Sequence, residues 1–568
     1  MRLIKGKEVG HFSNDSLQLS QFSSKFVRYG NEESNNFGST SAIPAWIIAE
    51  KNYSEIHRFF DTSPFSPTGR YLAILRVPKG ERVRELEEET AHIVVYDLRA
   101  GPSSSRIIAS TTAWDSQTGS HIQWGATDDA LFYNIRLPGT AAVDADAGVA
   151  DEDIKLGRLR GVVHNIFSDK FRYLDCPVYH VSSDGQYATS PDLTKISFTQ
   201  LGYGVRLRSA IRNLRAPVDD GVYLISIASG KCRLLSSLQE LAIVGGLDTE
   251  KTQTYGFHTK FSSDGKLIMF VVRTLHRTVG SIKGRRIKTG KMGQSTSDKV
   301  LNVISELLPS SLSPLLDIMR GGTIRTQHLF VLRTDESAAR LILSWGDSSM
   351  DGSSGRISNG KTGPAISGMF DGNHPNWIPG THDISMNLRD RDGDQGEHDS
   401  KNGIHGKYSS TAEKKLKYKV VVIKADSALA SECHDLIRGS DQSSLVHQSS
   451  GNNTSSCFVE MYPHGSGHPT YRKEGRYLLM DAYPKERGGL QSLSVSLSHS
   501  YSASIKGLNS SDSGVLERLQ LRPGSVPLRL VDTVDGKEIW LMQVRGEQSR
   551  RLALLINTMG SEESTVSY

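Results

Sequence analysis

The chain has 568 residues, enough for several domains or one large repeat array, and 37% of them are hydrophobic, enough to bury a core. Its 67 basic and 62 acidic side chains leave a net charge of +5, too balanced to mark a nucleic-acid or membrane-surface protein by charge alone. No apolar run of about 18 residues occurs, which excludes a membrane-spanning helix from the sequence pattern.

The N-terminal stretch from Met1 to Gln21 lacks the apolar centre of a signal peptide. The cysteines, Cys176, Cys232, Cys433 and Cys457, are widely spaced and form no CxxC pair. Neither a disulfide framework nor a cysteine zinc site is expected, and a reducing, cytoplasmic compartment fits best.

From about residue 55 a degenerate repeat begins. Each copy has an aromatic or apolar residue, three mostly polar turn residues, Gly or a substitute, and then an apolar run. In chain order the copies are Phe65-Ser-Pro-Thr-Gly69, Trp124-Gly-Ala-Thr-Asp128, Val181-Ser-Ser-Asp-Gly185, Phe261-Ser-Ser-Asp-Gly265, Trp377-Ile-Pro-Gly-Thr381 and Tyr471-Arg-Lys-Glu-Gly475. Each reads as strand, tight turn, strand, because Asp-Gly or Thr-Gly supplies the positive φ of a short hairpin. Most are followed by a second strand pair, as in GVYLISIASGKCRLLSSL. Four antiparallel strands per repeat make the blade of a β-propeller, so the fold class is all-β and seven blades are expected. The seventh would use 537–544 and 551–556, closing with N-terminal residues 42–49 behind an extension over 1–41.

Four segments interrupt the repeat. Those at about 390–416, 436–456 and 498–515 are polar and read as surface loops. The fourth, 280–327, opens on the basic residues Lys283, Arg285, Arg286, Lys288 and Lys291, and continues through DKVLNVISELL, whose 3.6-residue period predicts a short helical insertion.

Aligning the repeats exposes a histidine register. Three residues before the aromatic or apolar anchor stand His121, His258, His374 and His468. That position opens the innermost strand of a blade, so equivalent residues converge at one mouth of the central channel. Neutral imidazoles gathered there would hold a divalent metal such as Mn or Zn. The alternative is that each histidine is a hydrogen-bonding post tying adjacent strands. A second candidate is GYGVRLRSAIRNLRAP, which carries Tyr203, Arg206, Arg208, Arg212 and Arg215 without an acid. It reads either as a carboxylate-binding loop at the channel mouth or as an exposed basic loop. His57, just before the first hairpin, either points inward or caps local structure.

The segments HTKFSSDGK, HPNWIPG and GHPTYRKEGRYLLMDAYP resemble the propeller hairpins of oligogalacturonate lyase, a seven-bladed enzyme whose inner-strand histidines hold a divalent metal. IHRFFDTSPFSPTGRYLA, WDSQTGSHIQWG and VYHVSSDGQYATSPDL resemble propellers associated with bacterial polysaccharide genes, and ulvan lyases share the architecture. The SxDG core is common to TolB-like propellers at large. The resemblance implies His374 and His468 as metal ligands and His258 as ligand or base, and it offers no counterpart for His121. It departs in the late blade, where SVPLRLVDTVDG carries no histidine.

A uronate lyase removes the C5 proton beside a carboxylate and expels the C4 oxygen. A cation must hold the carboxylate, and a base such as His258 or Tyr203 must reach the proton, with Arg212 and Arg215 as the expected carboxylate clamp. The expected partner is an acidic oligo- or polysaccharide, with no nucleic acid. The competing expectation is a non-catalytic TolB-like or WD-repeat-like propeller that offers its rim loops to a protein or glycan. No GxSxG elbow, phosphate-binding GxxxxGK[ST], HExxH or strand-borne GxGxxG is present.

Overall fold

The computed structural model describes residues 27–28, 46–47, 53–78, 89–137, 159–200, 202–207, 210–250, 252–277, 323–335, 339–346, 369–390, 417–425, 458–462, 468–471, 475–480, 525–533 and 538–545. Within them six four-stranded antiparallel sheets follow one another along the chain, each a simple up-and-down meander. They run from Tyr53–Ile56 to Arg106–Thr111, from Gln123–Trp124 to Lys170–Tyr173, and from His180–Val181 to Cys232–Ser237. The later three run from Gln253–Phe261 to Ala339–Gly346, from Met369–Trp377 to Phe458–Tyr462, and from Thr470–Tyr471 to Glu538–Arg545. These are propeller blades, and the described residues are mostly β.

The repeat anchors set the register. Phe65 pairs with Leu72, Trp124 with Leu131, Val181 with Ala188, Phe261 with Ile268, Trp377 with Ile384 and Tyr471 with Leu478. The turn glycines adopt left-handed φ, at 68° for Gly185 and 71° for Gly265, where a β-carbon would be strained. In the fifth repeat the positive φ falls on Gly380, one residue before Thr381.

Blade stacking explains why many strands are apolar throughout. In Leu267–Arg277, Ile268, Phe270 and Val272 pack with Val222 and Leu224 of the third blade. Met269 and Val271, pointing the other way, pack with Trp377, Ile384 and Met386 of the fifth. Both faces of the strand are therefore interior, and the period-two alternation disappears from the sequence. Anchors also tie blade to blade: Trp124 Nε1 donates to Pro64 O at 2.8 Å and Trp377 Nε1 to Lys260 O at 3.0 Å. Thr470 Oγ1 donates to Phe60 O at 2.9 Å, linking the sixth blade to the first.

Three expectations change. Glu538–Arg545, assigned above to a seventh blade, is the fourth strand of the sixth, paired along Ser525–Asp532. Trp46–Ile47 pairs with Val27–Arg28 in a separate two-stranded sheet. Finally, Cys176 and Cys232 form a disulfide with Cα atoms 5.9 Å apart. Cys176 follows the outer strand of the second blade and Cys232 opens the outer strand of the third, an adjacency that linear spacing cannot reveal.

The polar insertions and nearly all of 280–327 lie outside the described residues, although 323–327 already belong to the strand Thr323–Arg333. A short helix, Leu238–Val244, stands after the third blade, its start fixed by a capping box between Ser237 and Glu240. No helix among the described residues is long and apolar enough to cross a membrane.

Candidate functional site at the propeller axis

The inner strand of the first blade pairs from Tyr53 to Ile56 and again at Phe65, and the intervening residues leave the ladder. Its partner strand spans the same interval with two residues, Ala73 and Ile74, so the excess chain must bulge. This bulge carries Arg58, Phe59, Phe60 and Asp61, and Phe59 and Phe60 are buried. Its side chains meet Tyr179 just ahead of the third blade, Lys260 in the fourth, and His374 and His468 at the fifth and sixth. Only a segment on the axis can touch so many blades.

The register histidines come to this axis in three separate settings. His374 and His468 stack, with ring centroids 4.2 Å apart, and Phe60 lies 5.2 and 5.0 Å from them. Asn387 Nδ2 approaches His374 Nδ1 at 3.3 Å. His258 sits in a bulge between Gly256 and Thr259, and its Nδ1 shares a hydrogen bond with the hydroxyl of Tyr179. Burial pushes the Tyr179 phenol well above its usual pKa, so the phenol keeps its proton. Burial, then the charges of Lys260 and Arg273, holds His258 well below the usual imidazole range. His258 is therefore neutral. His121, 1% exposed, packs 4.6 Å from Tyr179 and lies 3.3 Å from Thr118 Oγ1. His121 and His374 share a left-handed backbone, φ 56° and 59°, uncommon for a residue with a side chain.

The four imidazoles do not form one ligand set: among the described residues, no three His, Cys, Asp or Glu side chains are grouped so as to hold a metal ion. The donors are dispersed, since Tyr179 takes Nδ1 of His258 while Phe59 and Phe60 fill the space beside the stacked pair. A Mn or Zn centre does not fit these residues.

Tyr203 does reach the axis, 5.9 Å from His258 and 6.3 Å from Phe59. Gly204 makes this possible: at φ 80°, its added β-carbon would stand 2.5 Å from Leu193 O. Its N–H donates to the buried Asp115, fixing the loop. Two arginines of that loop go elsewhere, Arg212 over the ring of Phe198 and Arg215, exposed, 3.5 Å from Glu250, while Arg208 lies outside the described residues. His57 is buried at the start of the axial bulge.

Sequence reasoning missed the charged residues of the axis. Asp61 and Lys260 form an ion pair of 2.6 Å with side chains 3% and 4% exposed, and Lys260 Nζ also donates to Pro375 O at 2.9 Å. Burial opposes ionisation of Asp61, but Lys260 and then Arg58 outweigh it, so its carboxyl lies far below the ordinary range. Arg58 covers the Tyr179 ring at 4.8 Å. A lysine inside the apolar run of an inner strand, and Arg-Phe-Phe-Asp in a stretch too long for its partner, were the available signals.

No family model matches the chain, and no curated protein matches it. Solved structures match it at low identity. Oligogalacturonate lyase from Vibrio parahaemolyticus is 8% identical over 93% of this chain and 88% of its own, with a TM-score of 0.40. An oligogalacturonate lyase in complex with manganese is 9% identical over 92% and 96%, with a TM-score of 0.39. Porphyromonas gingivalis dipeptidyl peptidase 4 is 8% identical over 87% and 53%, with a TM-score of 0.31.

Proposed function

We propose that the axial cluster is the site of a carbohydrate-active propeller that promotes β-elimination on a uronate-containing oligo- or polysaccharide, without a histidine-bound metal. The observation carrying this reading is the Tyr179–His258 hydrogen bond, held beneath the guanidinium of Arg58. A phenol hydrogen-bonded to a neutral imidazole can take the C5 proton on oxygen while passing its own to Nδ1. The C5 electron pair then forms the C4–C5 double bond, and the C4 oxygen leaves as a hydroxyl with the proton returned by the imidazolium. Arg58 supplies the positive charge that an enediolate needs in a site of low dielectric.

The burial of His121 and His468, each 1% exposed, favours a second reading, in which the register histidines are packing posts of a non-catalytic scaffold that binds a glycan or a protein through its rim. Incubation of untagged protein with polygalacturonate or ulvan, followed by the ultraviolet absorbance of the unsaturated product, separates the two. The elimination reading expects product that survives a chelator and is lost in Tyr179→Phe. Absence of product from every uronate polymer leaves the scaffold.

A further inference from the structure

A guanidinium taken out of water normally regains a hydrogen bond for most of its N–H groups. Arg58 is 3% exposed, yet its Nε and both terminal nitrogens have no acceptor among the described residues. The nearby carboxylate, Asp61, is engaged by Lys260. A planar fork of donors is left facing the axis beside Tyr179.

His121 lies against the same tyrosine, and its two nitrogens are not equivalent. Thr118 gives its one hydroxyl proton to Asp115 Oδ2 at 2.6 Å, so toward His121 Nε2 its oxygen acts as acceptor. Burial, then the charge of Arg58, keeps this imidazole neutral. Its single proton is thus on Nε2, and Nδ1 is a bare acceptor, buried and without a partner among the described residues. The hydroxyl of Ser120, fully buried in the adjoining position, is a third such group.

We propose that Arg58, Ser120 and His121 form a subsite for a hydroxy acid, with an oxyanion on the Arg58 fork and a neighbouring hydroxyl donating to His121 Nδ1. A donor fork alone would suit any anion; the bare acceptor selects a ligand that carries a hydroxyl as well. A uronate residue has both on one ring. Naming it rests on the function proposed above, whereas the unfilled donors and acceptor stand independently of any catalysis.

The test is calorimetric titration of the full chain with galacturonate, with galactose as its uncharged twin and acetate as an anion without a hydroxyl. Galacturonate is expected to bind more tightly than acetate, and galactose not detectably. Arg58→Met should weaken galacturonate on the order of 10- to 100-fold, the loss of a charge-assisted fork. His121→Phe, which keeps the ring packing but not the acceptor, should bring galacturonate down to the affinity of acetate. Equal binding of galactose, or full binding in folded Arg58→Met, overturns the subsite, and equal binding of acetate in the wild type overturns its hydroxyl arm. Galacturonate binding that depends on Arg58 in a protein that yields no unsaturated product would refute the elimination and leave the subsite; product without such binding would do the reverse.

Discussion

The imidazoles of His374 and His468 stack where the fifth and sixth blades meet, with ring centroids 4.2 Å apart and planes inclined by 34°. Phe59 and Phe60, delivered by the first blade, close on both rings. A repeat that looks like a chelating register is here an aromatic stack that locks three blades at the axis. Packing of this kind depends on shape, so truncation should act on stability first.

His468→Ala should accordingly lower stability by about 2–4 kcal/mol, as for other fully buried ring truncations. His374→Ala should cost less, since His374 is only partly buried. Urea unfolding of the two variants gives the comparison, and an unchanged midpoint for His468→Ala would remove the packing role.

The Asp61–Lys260 pair crosses between the first and fourth blades inside the same cluster. Removing one partner strands the other as a buried charge, so Asp61→Leu or Lys260→Met alone should each cost roughly 3–5 kcal/mol. The double variant should cost markedly less than the sum of the two. A double-mutant cycle by denaturant unfolding measures this, and strict additivity would show that the charges do not interact.

The sequence made the blades legible because each anchor and its turn obey local rules. The pairs Phe261–Ile268 and Trp377–Ile384 follow from one hairpin pattern that is visible in the local sequence. What it could not show was how contacts close in three dimensions. Arg58 and Asp61 look like ordinary loop charges until the bulge is seen to cross the axis, and Arg215 looks equally suited to the site yet pairs with Glu250 at the surface. The place of the last described strand was hidden for a related reason: its apolar pattern suits either a sixth or a seventh blade, and only the pairing of Glu538–Arg545 with Ser525–Asp532 decides.

The Cys176–Cys232 disulfide closes a loop spanning 56 positions between the outer edges of neighbouring blades. Constraint of the unfolded chain over such a loop is worth about 4 kcal/mol in the chain-entropy model. Reduction, or the Cys176→Ser and Cys232→Ser double variant, should therefore lower the unfolding midpoint without dismantling the blades. Equal midpoints with and without reductant, after mass spectrometry has confirmed the bond, would show that the link adds nothing.

The pH dependence follows from histidines that the fold keeps uncharged. His180 Nδ1 accepts the backbone N–H of Phe261 at 3.3 Å, tying the third blade to the fourth, and burial followed by the Arg58 charge lowers its pKa to about 3. In the unfolded chain the same imidazole titrates near its ordinary value of 6.5. Between these two values the unfolded state holds the extra proton, so stability rises with pH across that window. The contribution is complete above pH 6.5 and fades as the pH falls toward about 3. Lowering the pH from 7 to 5 should cost at most about 2 kcal/mol through this residue, its partial exposure setting the upper bound. His180→Gln keeps an acceptor for Phe261 but cannot titrate. The stability gap between wild type and this variant, measured by urea unfolding, should thus shift by that amount in favour of the variant at pH 5. Parallel pH curves for the two proteins would mean that His180 is charged in the folded state, and its bond to Phe261 would have to be given up.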